Sequence, residues 1–436
     1  MTATEGVVQP SSAAAMGERV GVASHPKLIE GEVRVIGRRW SPRVHAIKAF
    51  LARSRVPYRW LDEDRDGAGP TAAESTVLFP DGSLLVDPEV RDVARRLGLE
   101  IEPDSSSYDL VVVGGGPAGL AASIYGASEG MHTVVVEQDV PGGQASYSAI
   151  IENYPGFPEG LSGSDLARRM IDQAERFGVE ILVTRKATAL GKDGDDLRVT
   201  LEDGTELSST AVLITTGVTF RWLDAPGCAS LVGAGIYYGA ATAEATACRG
   251  QDIYILGGGN SAGQAALLLS QYARRVVILT VEDSLEKTMS KYLIDRIPAL
   301  PNVQVRTNST VVGADGDGHL EWLTIEDVRT GATERVRAGG LFVFIGASPD
   351  TRWLEGVVAR DPQGFILAGP DLKLGGKFAH DWPLDRDPYM LETSQPGVFV
   401  AGDVRKGSIK RLASAVGEGA MAVQFVHACR RQQATH

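Results

Sequence analysis

The sequence has few cysteines and no long apolar run. Only three cysteines, Cys228, Cys248 and Cys429, occur in 436 residues, and no two of them form a C-x-x-C pair. This spacing indicates neither a disulfide scaffold nor a metal site. No apolar stretch approaches the roughly 18 residues that span a bilayer, and residues 1–31 lack the basic and apolar regions of a secretory signal. We therefore expect a cytoplasmic protein that does not enter a membrane.

An excess of positive charge is also absent. The net charge is -12 at pH 7, and the isoelectric point is near 5.2. Nucleic acids and anionic membranes attract basic surfaces, so we expect neither as a partner. What the chain does contain is 51 glycines and 43% hydrophobic residues, which is typical of a soluble α/β protein with many strand-helix turns. Its length predicts roughly two to four domains.

The stretch from Tyr108 to Glu137 carries the strongest pattern in the chain. Apolar runs at both ends predict two strands, and Gly114, Gly116 and Gly119 stand between them at G-x-G-x-x-G spacing, ahead of a helix of small residues. Such glycines allow a tight turn, the approach of backbone to a pyrophosphate and close packing of helix on strand. Glu137 stands where a carboxylate would bind ribose hydroxyls. A glycine turn without a ligand is the alternative, but the flanking strands and the acid favour a dinucleotide site.

A second stretch, from Asp252 to Thr280, repeats this pattern. Gly257, Gly259 and Ala262 occupy the fingerprint positions between a predicted strand and a predicted helix. The chain therefore carries two predicted nucleotide-binding units.

The region before Tyr108 is divided into a tail and a small domain. Residues 1–31 are rich in Ala, Ser and Gly, and we expect a flexible tail. Residues 32–102 predict a β-α-β-β-α unit that resembles a thioredoxin or glutaredoxin fold. That family places a C-x-x-C at the start of its first helix, whereas the stretch Trp40–Val44 has no thiol, and Ser75 stands near the position of the family's cis-proline. We therefore expect a docking or dimer-packing module rather than a disulfide-exchange domain.

Further motifs connect the two nucleotide units to one family. Four segments each match a landmark of that family: Gly142-Gly143-Gln144, the loop 152–157, the strand 211–217 and the strand 396–404. It is the low-molecular-weight thioredoxin reductase family, which residues 108 to about 428 resemble. The resemblance implies an α/β fold and a homodimer. A Rossmann-like FAD domain (108–229 and 339–436) would carry an inserted pyridine-nucleotide domain (230–338), both following the small thioredoxin-like domain.

The resemblance also implies the cofactor-binding residues. Asp403 would bind the flavin ribityl chain, and the helix beginning near Leu412 would point its positive end at the flavin ring. The residues implied for FAD are Gly114, Gly116, Pro117, Ala118, Gly119, Glu137, Gly143, Gln144, Asn153, Thr216, Gly217, Gly402, Asp403, Arg411, Leu412 and Ala413, and those implied for a pyridine nucleotide are Gly257, Gly259, Asn260, Ser261 and Ala262.

One departure from the family removes its redox-active dithiol. Where the family has C-A-T-C, this chain has Ala240 and Ala243 at the two cysteine positions. Alanine has no thiolate, so thiol-disulfide exchange is chemically excluded at this site. The acid that follows the motif is matched by Glu244, which is the candidate catalytic proton donor near the flavin. A helix-surface glutamate is the alternative.

A second departure concerns the pyridine nucleotide. NADPH-dependent members carry H-R-R-x-x-x-R after the second strand of the inserted domain, and here Glu282 and Glu286 stand at two of the arginine positions. A hydrogen bond to a charged group contributes roughly 1.5 to 3 kcal/mol, so carboxylates remove that gain and add repulsion. The sequence disfavours NADPH and leaves either NADH, with Glu282 accepting from the ribose, or no pyridine nucleotide.

The segment 373–394 adds aromatic and charged residues that the family motifs do not explain. His380, Asp381, Trp382 and Arg386 either edge the flavin pocket or a partner site, or form a surface hairpin, which is the expectation we favour.

These motifs predict an FAD-dependent oxidoreductase that passes electrons directly between flavin and NADH, a small-molecule substrate or a protein carrier. Three alternatives remain: a ferredoxin or flavodoxin reductase, an oxidase or dehydrogenase reduced by its own substrate, and a non-enzymatic FAD-binding protein.

Overall fold

The computed structural model describes residues 31–38, 41–63, 73–148, 150–194, 196–238, 245–246, 248–374, 377–378 and 382–433. Outside these ranges lie the predicted tail up to residue 30, the pair Ala240 and Ala243, the candidate proton donor Glu244, and both His380 and Asp381. Within them, no helix is long and apolar enough to cross a membrane. No two of the three cysteines are joined by a disulfide.

A four-stranded sheet with two helices forms the small N-terminal unit. Its elements are β1 Val33–Gly37, α1 Pro42–Arg53, β2 Tyr58–Asp62, β3 Ser75–Leu78, β4 Leu84–Val86 and α2 Val90–Arg96. The sheet order is β2-β1-β3-β4, with β1 and β2 parallel and the other pairs antiparallel. The Ser41 hydroxyl caps α1 by accepting from the Val44 amide at 3.1 Å, and Pro42 occupies the first helical turn.

The first nucleotide motif forms the centre of a seven-stranded sheet. Its elements are β5 Ser107–Val113, α3 Pro117–Ser128, β6 Thr133–Val136, α4 Gly163–Arg176, β7 Glu180–Leu182, β8 Ala187–Asp193, β9 Asp196–Leu201 and β10 Glu206–Ile214. The order is β7-β6-β5-β10-β9-β8, and β5 runs parallel to both neighbours. Apart from Thr133, the buried residues of β5 and β6 are apolar or aromatic, as expected for strands covered on both faces.

The second nucleotide motif belongs to a separate, five-stranded parallel sheet. This part of the chain contains β11 Thr219–Phe220, β12 Ile236–Tyr237, β13 Asp252–Leu256, α5 Asn260–Leu269, β14 Arg275–Leu279, α6 Lys291–Arg296, β15 Val303–Arg306, β16 Ser309–Asp315, β17 Trp322–Asp327, β18 Thr333–Arg337, β19 Gly340–Val343 and β20 Ala347–Ser348. The sheet order is β12-β19-β13-β14-β15, and β16 to β18 form an antiparallel meander. The parallel sheets confirm the predicted α/β fold class.

The second sheet extends beyond the boundary expected at residue 338. β19 pairs in parallel with both β12 and β13, so residues 340–343 complete this sheet. The reason for this longer boundary is topological. After the meander the chain returns to the position between β12 and β13, and only then crosses to the first sheet. The crossing to the first sheet follows, where β11 and β20 pair antiparallel over two residues each.

The chain then returns to the first sheet. The remaining elements are β21 Lys373–Leu374, β22 Lys377–Phe378, β23 Val398–Val400 and α7 Leu412–Gln433, and short 3-10 helices span Gly143–Tyr147, Ala229–Leu231, Leu285–Lys287, Ile297–Ala299, Arg352–Leu354 and Gly369–Leu372. β23 pairs in parallel with the end of β10. Arg386 makes two bonds, of 2.6 and 2.9 Å, to the fully buried Glu392, which gives it a structural role in the segment 373–394.

The small unit and the seven-stranded sheet share one apolar core. Buried residues of both, such as Leu97, Ile101 and Val183, belong to the same cluster. Beside them lies Arg185, whose side chain is fully buried. It donates to the Ile101 carbonyl at 2.5 Å and to Asp203 at 2.7 Å. The stretch that joins the two units is therefore tied to the sheet.

We expect Arg185→Met to lower the free energy of unfolding by about 3 kcal/mol, because it removes the charge-assisted hydrogen bonds of a buried guanidinium to the Ile101 carbonyl and to Asp203. Urea denaturation followed by circular dichroism measures this change. Arg198→Met is the matched control, since Arg198 pairs with Asp193 and Glu206 at the surface and its loss should cost far less. Equal losses in the two variants would contradict the assigned role of Arg185.

Candidate functional site

A cleft of about 1810 Å³ opens where β5, β6, β10 and β23 end. These strands are parallel, and their carboxyl ends are the usual place for a ligand in such sheets. Most residues expected to bind FAD meet in its lining: Gly114, Gly116, Pro117, Ala118, Glu137, Gly143, Gln144, Asn153, Thr216, Gly217, Gly402, Asp403, Arg411 and Leu412. Gly119 and Ala413 are not among the lining residues.

The glycine turn before α3 shows why two of its glycines, Gly114 and Gly119, are needed. Gly114 has a φ of 109°, and a Cβ there would lie 2.5 Å from the Thr215 carbonyl oxygen. A Cβ at Gly119 would lie 1.9 Å from the Gly114 oxygen, so Gly119 serves the packing of α3 on β5 rather than contact with a ligand. Gly116 precedes α3 and borders the cleft. The amides at the start of α3 are thus available to a pyrophosphate.

Glu137 lies at the far end of the cleft, in a setting suited to a ribose. Its carboxylate accepts from the Gly115 amide at 2.7 Å and from the Asp139 amide at 2.9 Å. Burial, and then the charge of Asp139, raise the pKa of Glu137. Thr216 adds a buried hydroxyl oxygen that has no hydrogen-bond partner among the described residues. Hydroxyl groups of a bound dinucleotide would supply the donors and acceptors that these side chains lack.

The loop after β23 forms the opposite wall. Burial raises the pKa of Asp403, whereas Lys410 and Arg411 act in the other direction. Glu418 of α7 accepts from the Gly402 amide at 2.8 Å and pairs with Arg405 at 2.5 Å, so it holds this loop against α7. Glu418 was not among the residues expected from sequence. In the sequence, only the position of Glu418 in the first turns of the helix after the Gly402-Asp403 pair could have indicated this role.

The loop between β6 and α4 closes the cleft from the side. The Gly142 amide donates to the Gly115 carbonyl at 2.8 Å, and the Gln144 side chain donates to the Val218 carbonyl. Gly143 and Gln144 are therefore held between the glycine turn and the crossing segment, which agrees with their expected position beside a flavin.

The second nucleotide unit opens onto the same cleft. Gly257 has a φ of 138°, and α5 begins at Asn260. Asn260 and Ser261 line the cleft, together with Tyr292 of α6, whereas Gly257, Gly259 and Ala262 lie behind them. The Asn260 side chain also accepts from the Ser290 amide at 2.7 Å.

The end of β14 carries more acid than base. Lys287, which sequence reasoning missed, pairs with Asp283 at 2.9 Å and with Glu282 at 3.2 Å. Glu286 is exposed beside them. Among these four side chains, three carboxylates face one ammonium group, and the disfavouring of NADPH stays a prediction.

Two aromatic side chains, Trp222 and Tyr238, border the cleft. Tyr238 lines it, and its hydroxyl accepts from the Leu223 amide at 2.8 Å. The ring of Trp222 packs edge-on against Tyr238 at 4.6 Å and is 69% exposed. The residues that follow, including Ala240, Ala243 and Glu244, lie outside the described ranges.

Comparison with known proteins supports this interpretation of the cleft. Residues 108–419 match the family model described as pyridine nucleotide-disulphide oxidoreductase. A thioredoxin reductase of Streptomyces clavuligerus is 34% identical over 320 residues, which cover 73% of this chain and 92% of the relative. One component of the alkyl hydroperoxide reductase of Staphylococcus epidermidis is 30% identical over 337 residues, 76% of this chain, and the match spans only 62% of that relative.

Solved structures give the same result. The thioredoxin reductase of Lactococcus lactis, in its FR conformation, is 29% identical with a TM-score of 0.66, covering 74% of this chain and 98% of that one. The enzyme of T. acidophilum is 27% identical with a TM-score of 0.66, covering 74% and 99%. This family implies FAD and a pyridine nucleotide, and the chain belongs to the pyridine nucleotide-disulphide oxidoreductases, in the branch that resembles thioredoxin reductase.

Proposed function

We propose that this protein is an FAD-dependent oxidoreductase that takes electrons from NADH and passes them directly from the flavin to a small molecule or a protein carrier. The observation that carries the proposal is the shared cleft, which Asn260 and Ser261 of the second nucleotide unit border together with Gly116 and Asp403 of the first. A nicotinamide held by one unit could therefore reach a flavin held by the other. The alanines at 240 and 243 leave direct transfer as the route.

The redox chemistry itself would be supplied by FAD. The chain would supply binding and electrostatics: the start of α3 would bind the pyrophosphate, Glu137 would accept from the ribose, and Asp403 would accept from the ribityl hydroxyls. The positive end of α7, with Arg411 before it, would stabilise negative charge on the flavin ring. Glu244 stays the proposed proton donor.

A contact between the two units supports the shared cleft. Arg296, at the end of α6, pairs with Glu152 at 3.2 Å, next to the cleft residue Asn153. The pair is half exposed and contributes little energy. The pair matters for the arrangement of the two units, because it joins the second unit to the loop that borders the proposed flavin position.

An oxidase or dehydrogenase reduced by its own substrate is the second candidate. The exposed ring of Trp222 beside Tyr238 favours it, because an apolar aromatic edge suits an organic substrate. The two candidates differ in whether NADH reduces the flavin.

Stopped-flow mixing of the purified flavoprotein with NADH or NADPH separates them. We expect NADH to bleach the flavin absorbance rapidly and NADPH to do so much more slowly, because Glu282 and Glu286 repel the additional phosphate. Absence of bleaching by either nucleotide would refute the NADH-dependent function and leave the substrate-reduced enzyme or a non-enzymatic flavoprotein.

Exchanging the two carboxylates should change the nucleotide preference. The variant Glu282→Arg/Glu286→Arg is expected to improve the ratio of NADPH to NADH reactivity by about 100-fold, since each restored charge-assisted bond contributes roughly 1.5 kcal/mol or more. The rate of flavin reduction at subsaturating nucleotide gives this ratio. Asp295→Arg/Asp315→Arg, which adds the same charge at two exposed positions of the second nucleotide unit, is the control. If it shifts the ratio as strongly, the effect is one of overall charge and the specificity assignment is wrong.

A further inference from the structure

The last residue of α1 reaches from the small domain into the cofactor cleft. Arg53 donates through Nη1 to the Asp139 carboxylate and to the Tyr147 hydroxyl, the latter at 2.8 Å, and through Nη2 to the Val140 carbonyl at 2.9 Å. Its guanidinium also lies 4.6 Å from the centre of the Tyr147 ring. The side chain is only 11% exposed and borders the cleft. A residue of the small domain is thus built into the wall of the cleft.

The loop that Arg53 holds is the one that shapes the site. The Asp139 amide donates to Glu137, and the other oxygen of Glu137 accepts from the Gly115 amide of the glycine turn. Further along the loop, the 3-10 helix Gly143–Tyr147 carries Gly143 and Gln144. Arg53 therefore contacts both ends of the segment between the ribose position and the flavin position.

The charge of Arg53 is matched to this place. It lies beside two carboxylates, Asp139 and Glu137, and by its charge it opposes the burial that raises the pKa of Glu137. An ionised carboxylate is the stronger acceptor for ribose hydroxyls. The Nε of Arg53 is buried and has no hydrogen-bond partner among the described residues.

We propose that Arg53 is a positioning residue of the FAD site and that the small domain, which has no redox-active thiols, is part of the apparatus that retains the cofactor. This inference rests on the FAD site of the proposed function but not on the identity of the electron donor. The shared core of the two units gives the small domain the rigidity that such a role needs.

The test is a titration of flavin-free full-length protein with FAD. Arg53→Ala should raise the dissociation constant for FAD by about tenfold or more, because it removes charge-assisted hydrogen bonds that order the loop. It should also reduce the rise in melting temperature that FAD produces, since that rise follows affinity. Arg53→Lys keeps the charge but cannot reach three acceptors with a planar group, so it should restore part of the affinity.

Arg55→Ala is the matched control. Arg55 also joins the small domain to the first sheet, through Asp165, but it does not border the cleft. Equal FAD affinity in Arg53→Ala and wild type, or equal losses in the two alanine variants, would overturn the proposal. If flavin-free Arg53→Ala melts at a lower temperature than flavin-free Arg55→Ala, the substitution has caused a general loss of folding. Full recovery of FAD affinity in Arg53→Lys would then also count against the proposal. Failure of the wild type to bind FAD would overturn both this proposal and the proposed function, whereas FAD binding without NADH oxidation would affect only the latter.

Discussion

The close contact of α3 with its surroundings is the constraint on which the rest of the site depends. Gly119 brings α3 onto β5, where a Cβ would lie 1.9 Å from the Gly114 oxygen. On the opposite face Gly419 lets α7 approach, since a Cβ there would lie 2.1 Å from the Ala118 oxygen. The start of α3, the loop after Glu137 and the loop with Asp403 border one cleft because this small-residue helix lets all of them approach it.

The parts of the site that sequence reasoning found are those encoded locally. A strand, a glycine turn and a helix follow one another within Tyr108–Glu137, so their pattern is visible without any tertiary contact. Arg53 and Glu418 were missed because their partners, Asp139 and Gly402, come from other elements, and an isolated arginine or glutamate carries no pattern. The sequence boundary placed β19 in the first unit for a similar reason, since a short apolar strand fits the parallel part of either sheet.

The two nucleotide units have different electrostatic characters. At the first, buried groups such as Glu137 and Asp403 are held by backbone amides and by neighbouring cations, which suits a cofactor that stays bound. At the second, the acids near Glu282 are partly exposed and paired only with Lys287, which suits a ligand that comes and goes. The two units thus differ in how deeply their acidic groups are buried and in how those groups are paired.

The second unit is inserted between two parts of the first, and this order along the chain also determines which sheet can be completed first during synthesis. The second sheet is continuous in sequence from β12 to β19, so it can form as soon as these residues have left the ribosome. The first sheet must wait for β23, and its ligand cleft must wait for α7 at the end of the described chain. Until then the small unit and β5 to β10 have an exposed apolar surface where α7 will pack. The cleft is therefore completed late, and truncation of the last helix would expose the apolar surface that it covers and remove part of the cleft lining.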